Sequence, residues 1–137
     1  GFVFQDHHLL PQLTVIENVL VPALAVGKPS HEDTDRARSL VDSVGLGDRL
    51  GHLPSELSGG ERERVAIARS LLMNPSLILA DEPTGNLDRK TAGQVTEVLL
   101  NLQKRSGAIL ITVTHSDALA TAMGQRMELV DGCLVGG

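Results

Sequence analysis

The spacing of hydrophobic and polar residues along the chain predicts both strands and helices. The apolar runs GFVFQ, SLILAD and AILITVTH are short and mostly aliphatic, which is typical of buried strands. Apolar residues recur at three- and four-residue spacing in longer segments, which predicts helices at 15–24, 31–44, 58–73 and 89–107. A short helix after Ser116 and a hairpin through Asp131-Gly132 complete the pattern. Strands that alternate with helices predict an α/β fold.

Hydroxyl residues mark the predicted helix starts. Three of them precede helical segments: Thr14, Ser30 and Ser58. Glu17 and Glu61 follow the first and the third at capping-box spacing, in which side chain and backbone cap each other reciprocally. Gly45 is expected to end the second helix, because glycine adopts the left-handed backbone of a helix C-terminus. Pro22 is expected to end or kink the first helix.

Two short segments carry candidate chemistry. The strand SLILAD delivers Asp81 and Glu82 to its carboxyl end, where open α/β sheets bind ligands and where an aspartate suits Mg²⁺. The alternative is that acidic residues simply terminate a strand. The segment SGGE places Ser58, Gly59 and Gly60 at a helix start, where bare amides bind anions. The alternative there is a well-capped helix without a ligand.

Composition narrows the functional classes. The formal net charge of -5 argues against a nucleic-acid-coating surface, and a single cysteine, Cys133, excludes an internal disulfide framework. No apolar stretch approaches the roughly 20 residues that a membrane helix needs. The chain opens with Gly1 inside a strand-like run, which predicts that a further N-terminal portion precedes it. The loop residues Asp6, His7 and His8 form a candidate metal cluster without a spaced third ligand.

Several segments in order resemble the motifs of ATP-binding-cassette (ABC) ATPases. LSGGERERVAIARS resembles their signature motif, LILADE their Walker B strand, GNLD their D-loop and THS their switch histidine. GFVFQ resembles the strand that leads to the Q-loop. QDHHLLPQLTVIENVLVPAL with ADEPTGNLD is further similar to ATP-binding subunits of lipoprotein-releasing transporters, with macrolide-exporter and cell-division types as near relatives. The resemblance implies a partial P-loop NTPase fold, with a mostly parallel sheet and an α-helical subdomain.

The resemblance implies roles for individual residues in one nucleotide site. Asp81 would hold Mg²⁺, and Glu82 would act as the general base or orient the attacking water. Gln5 would contact the metal ion and that water, and His115 would reach the γ-phosphate of ATP. ATP and Mg²⁺ are therefore the implied cofactors.

Other residues would serve the nucleotide of a second, identical subunit. Ser58, Gly59 and Gly60, with Glu61 next to them, would face that subunit's γ-phosphate. Asp88 in the D-loop would lie on the seam of the head-to-tail homodimer. ATP would close this dimer and hydrolysis would open it.

The chain departs from the family pattern at two points. The usual signature has glutamine where this chain has Glu61, which preserves the capping box but adds negative charge. No segment matches the phosphate loop G-x-x-x-x-G-K-[ST], because Gly27-Lys28 is followed by Pro29. No tyrosine or tryptophan is present to stack on adenine, and Phe2 and Phe4 are expected to lie in the core. The chain as written is therefore expected to bind ATP poorly.

The resemblance also implies an organisation and a function. Residues 1–137 would be the C-terminal part of one ABC ATPase domain: 6–57 a helical-subdomain region, 58–73 the signature helix and 77–137 the ATPase core. The protein would be an ATP-hydrolysing transporter subunit that powers export or lipoprotein release, bound to membrane permease subunits at the cytoplasmic face of the inner membrane. The alternative is a truncated, non-catalytic cassette that acts as a permease-docking module.

Overall fold

The computed structural model describes residues 1–136 and confirms an α/β architecture. The strands are β1 (Phe2–Val3), β2 (Leu77–Asp81), β3 (Ile109–Val113), β4 (Met127–Val130) and β5 (Cys133–Gly136). The helices are α1 (Val15–Val26), α2 (His31–Ser43), α3 (Gly59–Leu71), α4 (Arg89–Ser106) and α5 (Asp117–Ala122). Short 3-10 turns at Gly47–Arg49 and Pro54–Glu56 connect α2 to α3. Among residues 1–136, none of the helices combines the length with the apolar character of a membrane span.

The main sheet is parallel, with its three strands in the order β1-β2-β3. Leu79 in the central strand lies opposite Phe2 on one side and Ile111 on the other. Because the strands are parallel, their carboxyl ends share one edge of the sheet. β4 and β5 form a separate antiparallel hairpin whose turn, Asp131-Gly132, has positive φ at both residues, as a tight two-residue turn requires.

The signature helix α3 lies at the centre of the core. Its consecutive residues from Val65 to Ala68 are all inaccessible to solvent, since α1, α2, α4 and the sheet surround it. Aliphatic side chains of the core come from several of these elements, among them Val19, Val41, Leu71, Ile78 and Leu99. Burial on all sides makes α3 the rigid element against which the loops of the site pack.

The predicted caps are present at the starts of α1, α2 and α3. Thr14 with Glu17, Ser30 with Asp33 and Ser58 with Glu61 each form a complete capping box. α2 ends at Ser43, and Gly45 beyond it has φ +73°, as predicted. The helix boundaries are thus set locally, by side chains that satisfy the free amides of the first turn.

Two features of the first part of the chain differ from expectation. Pro22 was expected to end or kink α1, and it does not end the helix, which continues to Val26. Proline keeps a helical φ, and burial of Val19 and Ala23 against neighbouring helices offsets the one backbone hydrogen bond that it forfeits. Phe2 and Phe4 do not join the core, as they are 55% and 39% exposed.

The exposure of the two phenylalanines follows from strand geometry. Side chains alternate between the faces of a strand, and Val3 takes the core-facing position with no exposed surface. Phe2 and Phe4 therefore share the opposite face, where their rings stack with centroids 5.5 Å apart. On the same sheet, alternate residues of β3, namely Ile109, Ile111 and Val113, are also more than half exposed.

Candidate functional site

The carboxyl edge of the parallel sheet gathers most of the predicted site. β2 ends at Asp81, and Glu82 follows it; β3 ends at Val113, and Thr114 and His115 follow. The amide of Glu82 donates to the carbonyl of Val113 over 2.9 Å, so the two strand ends are joined beyond the last sheet residues. The parallel register thus accounts for the proximity of residues that lie far apart in sequence.

Glu82 is held in one orientation by the loop that follows β3. One carboxylate oxygen, Oε1, accepts a hydrogen bond of 2.7 Å from the amide of His115, and the other accepts one of 3.2 Å from Oγ1 of Thr114. The side chain of Glu82 is only 14% exposed, whereas the His115 ring is fully exposed, with Nε2 3.8 Å from Oε1. The backbone of Glu82 is left-handed, with φ +45°, which is uncommon for glutamate and is often found at functional sites.

Gln5 reaches the same edge from β1. Val3 pairs with Ala80, so the residues that follow each strand are neighbours. Asn86 Nδ2 donates to the carbonyl of Gln5 over 3.5 Å, and a methyl group built on Gly85 would lie 3.5 Å from the Gln5 amide nitrogen and 3.4 Å from Cβ of Glu82. The structure therefore brings Gln5, Glu82 and His115 together.

Asp81 offers an exposed carboxylate at the end of β2. No cluster of three or more acidic, histidine or cysteine side chains that would hold a metal ion occurs among residues 1–136, and Asp6, His7 and His8 form none. Mg²⁺ is commonly held by one or two protein oxygens, with water and phosphate supplying the rest. A carboxylate at Asp81 and an amide oxygen at Gln5, on adjacent strand ends, fit that donor set.

The signature segment begins α3 with a reciprocal cap. Ser58 Oγ accepts a hydrogen bond from the amide of Glu61 over 3.3 Å, while Glu61 Oε2 accepts from Oγ and the amide of Ser58 at 2.7 and 2.8 Å. The Ser58 hydroxyl, followed by its backbone amide, lowers the pKa of Glu61. The negative charge of glutamate at this position is thus stabilised locally by hydrogen bonds.

The signature glycines are constrained by packing within the chain. Gly60 is buried, and a Cβ at this position would lie about 2.3 Å from Thr91 Cγ2 on α4. A Cβ at Gly59 would lie 3.3 Å from Leu87 Cδ2. Glycine at these positions therefore lets α3 approach the start of α4 closely, whether or not a ligand is present.

Asp88 caps α4 in this structure. Its Oδ1 accepts hydrogen bonds from the amides of Lys90 and Thr91 at 3.0 and 3.1 Å, and Oδ2 accepts one from Thr91 Oγ1 at 2.5 Å. The Thr91 hydroxyl is the main cause of the lowered pKa of Asp88. Asp88 is thereby fixed close to Gly60, because Thr91 accounts for both contacts.

Two clefts border these segments. A cleft of about 400 Å³ is lined by the loop after β1 (Asp6, His7), the start of α3 (Gly59, Arg62) and the loop after β2 (Asn86, Leu87). A second, more apolar cleft of about 500 Å³ is lined by Phe2, Phe4, Val21, Pro22 and Met73, with Arg69 at its edge. The first cleft thus lies between the segments that resemble the signature motif, the Q-loop and the D-loop.

One cluster was missed by the sequence predictions. Glu63 on α3 is 1% exposed, and its Oε2 lies 2.6 Å from Nδ1 of His7. Arg69 on the same helix donates to the carbonyls of His7 and His8. A signal for Glu63 exists, because it occupies the buried helical spacing shared with Ile67 and Ser70. His7, which contacts Glu63, lies in a loop far away in the sequence, and no local pattern there indicates this contact.

The chain is similar to known proteins over most of its length. The family model described as ABC transporter matches residues 1–85. The lipoprotein-releasing system ATP-binding protein LolD 1 of Rhodopirellula baltica is 67% identical over 98% of this chain and 59% of that relative. LolD of Geobacter metallireducens is 53% identical over 98% of this chain and 60% of its own length. The chain therefore spans about three fifths of the curated relatives it matches.

The chain also resembles two solved structures of an ATP-binding cassette. A dimeric, post-hydrolysis structure of the ATP-binding cassette MJ0796 bound to ADP and Pi matches with a TM-score of 0.80 and 40% identity, over 96% of this chain and 59% of that chain. A second dimeric structure of MJ0796, a bacterial ABC transporter cassette, matches with a TM-score of 0.74 and 42% identity, over 88% and 54%. The partial ABC ATPase fold predicted from the ordered motifs is confirmed, and the chain belongs to the ABC transporter family.

Proposed function

We propose that the protein is the ATP-binding and ATP-hydrolysing subunit of an ABC transporter that powers lipoprotein release from the inner membrane. The observation that carries the proposal is the fixed, shielded carboxylate of Glu82 beside Gln5 and His115 at the sheet edge. Similarity to lipoprotein-releasing ATP-binding proteins supports the substrate class. The implied cofactors are ATP and Mg²⁺.

Glu82 is proposed to orient the attacking water and accept its proton. Two hydrogen bonds from Thr114 and His115 set the direction of the carboxylate, and general bases act only when they are aimed at the proton they accept. The exposed His115 ring is free to turn toward a γ-phosphate, and the Gln5 amide is proposed to hold the water from the other side. Mg²⁺, when bound through Asp81 and Gln5, would neutralise developing charge on the phosphates.

A second copy of the chain is the proposed partner in ATP binding. Ser58, Gly59, Gly60 and Glu61 would face the nucleotide of that copy, with Asp88 on the seam. The adjacency of the signature glycines and the Asp88 cap, through Thr91, supports a single interface surface formed by both segments. ATP would close the head-to-tail dimer, and hydrolysis would open it.

The proposed membrane partner is a permease at the cytoplasmic face of the inner membrane. The apolar cleft lined by Phe2, Phe4, Val21 and Met73 supports a docking surface, since exposed aromatic and aliphatic side chains grouped in one cleft mark interaction sites. The cleft combines β1 with α1 of the proposed helical subdomain, 6–57. The same observation favours a second candidate function, a non-catalytic permease-docking module.

Substitution of Glu82 by Gln tests the proposal in the protein expressed at its natural length. Glutamine retains one oxygen that can accept from the His115 amide, and its amide nitrogen can instead donate to Oγ1 of Thr114, but it accepts no proton, so ATP turnover should fall by about 10²–10⁴-fold. ATP-driven dimerisation, followed by light scattering, should persist. Glu97→Gln, on the exposed face of α4, is the matched control and should hydrolyse ATP normally.

The outcomes separate the two candidate functions. Normal turnover by Glu82→Gln would refute the catalytic role of that carboxylate. Permease docking by the wild-type protein that is independent of ATP, together with no hydrolysis, would establish the non-catalytic module. Docking that strengthens with ATP would exclude the module.

A further inference from the structure

The loop between β1 and α1 begins with an unusual backbone. His7 and His8 both have left-handed φ values, +60° and +45°. Such a conformation is unfavourable for a residue with a side chain, so two in succession require external support. Within the loop, His7 donates its amide to the carbonyl of Phe4 and His8 donates to that of Asp6. Both hydrogen bonds lie within the loop, so they do not connect these residues to a helix or strand.

Arg69 attaches the loop to α3. Its two terminal nitrogens donate to the carbonyls of His7 and His8, at 2.5 and 2.7 Å. Burial lowers the pKa of Arg69, and the nearby charge of Glu63 opposes that shift. A guanidinium that serves two adjacent carbonyls fixes their orientation, because its donors form a rigid planar fork.

Glu63 makes the second attachment. Its carboxylate is buried, with Oε2 2.6 Å from Nδ1 of His7, a contact of ion-pair distance without hydrogen-bond alignment. Oε1 of Glu63 and Nδ1 of His7 therefore both lack a hydrogen-bond partner among residues 1–136. Burial raises the pKa of Glu63, and the contact with His7, followed by the charge of Arg69, opposes that shift. Burying a carboxylate lowers the stability of the folded protein unless partner groups compensate. A role for Glu63 other than filling space in the core would account for its presence here.

We infer that Glu63 and Arg69 are positioning residues that clamp the loop of His7 to α3 and thereby set the position of Gln5. His7 is two residues after Gln5, and Glu63 is three residues after Gly60. The clamp therefore joins the glutamine of one proposed nucleotide site to the signature segment that serves the other. This inference rests on the proposed function, since Gln5 acts through ATP hydrolysis.

The clamp itself is tested without nucleotide, by hydrogen exchange of the loop amides in the protein at its natural length. Glu63→Ala and Arg69→Met should speed exchange at residues 7 and 8 by about 10-fold or more, since the first removes the contact with the His7 ring and the second the hydrogen bonds to the two carbonyls. Arg64→Met is the matched control: Arg64 lies on the same helix but donates to the carbonyl of Val44 instead. Unchanged exchange in Glu63→Ala and Arg69→Met would overturn the clamp.

The positioning role is tested by the kinetics of ATP hydrolysis. Glu63→Ala and Arg69→Met should lower kcat by about 10–100-fold while KM for ATP changes little, because a misplaced Gln5 affects the reacting geometry. Glu63→Gln should recover most of kcat, since its amide oxygen keeps the shape of the carboxylate and the contact with Nδ1 of His7. In a Gln5→Ala background, Arg69→Met should cause less than about a 2-fold further loss.

The exchange and kinetic experiments test the clamp, the positioning role and the proposed function separately. Equal losses from Arg69→Met with and without Gln5 would overturn the positioning role while leaving the clamp intact. A fall in kcat for Arg64→Met as large as that for Arg69→Met would show a general effect on α3 and would likewise overturn it. Absence of hydrolysis in the wild-type protein would refute the proposed function, and the exchange experiment would still decide the clamp.

Discussion

Asn18 provides a direct test of how the loop before α1 is stabilised. Its side chain has no exposed surface and makes four hydrogen bonds. Oδ1 accepts from the amide of Leu10 at 2.7 Å, and Nδ2 donates to the carbonyls of Leu10, Leu13 and Thr14 at 3.1, 2.8 and 3.1 Å. One amide group thus replaces the secondary structure that the 10–14 segment lacks.

The cost of Asn18→Ala follows from which groups lose their only partner. The carbonyls of Leu10 and Thr14 keep backbone donors, from Leu13 and from residue 18 itself. The amide of Leu10 and the carbonyl of Leu13 lose theirs, at about 1–3 kcal/mol for each group. Both sites are only partly buried, and alanine favours the helix by about 0.5 kcal/mol, so the net loss should be about 2–3 kcal/mol.

Urea unfolding measures this loss as a shift of the midpoint at constant slope. Asn18→Asp keeps the volume and the acceptor but places a carboxylate against three carbonyls, so it should destabilise at least as much as alanine. Asn101→Ala, on the exposed face of α4, should change the free energy of unfolding by less than about 0.5 kcal/mol. An Asn18→Ala protein as stable as Asn101→Ala would refute the assigned role.

Two further predictions concern the start of α3. Gly60→Ala should cost about 1–3 kcal/mol in thermal unfolding, because its methyl would meet Thr91 Cγ2, and Thr91→Ser in the same chain should restore part of that loss; additive effects would contradict the contact. Ser58→Ala removes the main cause of the lowered pKa of Glu61. A carboxylate with a lowered folded pKa stabilises above its unfolded pKa and ceases to do so as pH falls through the folded pKa. The stability difference between wild type and Ser58→Ala should therefore shrink between about pH 5 and 3; a pH-independent difference would contradict it.

Features set by neighbouring residues were predictable from the sequence. The capping boxes, the strand that ends at Asp81 and the turn at Asp131-Gly132 each depend on residues a few positions apart. The ordered motifs also predicted the family fold, which the structural matches confirm.

Features set by distant partners were not predictable. The contact between His7 and Glu63 joins two segments whose local patterns are independent. The approach of Gly60 to Thr91 requires the angle between two helices, and the exposure of Phe2 and Phe4 depends on which face of β1 meets the core. Local periodicity fixes a residue's element but not the neighbour that this element acquires.

The pairing of β1 with β2 has a consequence for synthesis on the ribosome. Phe2 and Val3 lie against Leu79 and Ala80, so their partners emerge only after residues 4–78 have been translated. At about 5–20 residues per second this interval lasts several seconds, and closing so long a segment is slow compared with forming local helices. During that time α1, α2 and α3 can pack together before β1 meets β2. The helices beside the candidate site can therefore form before the sheet edge that carries Gln5 and Glu82 is complete.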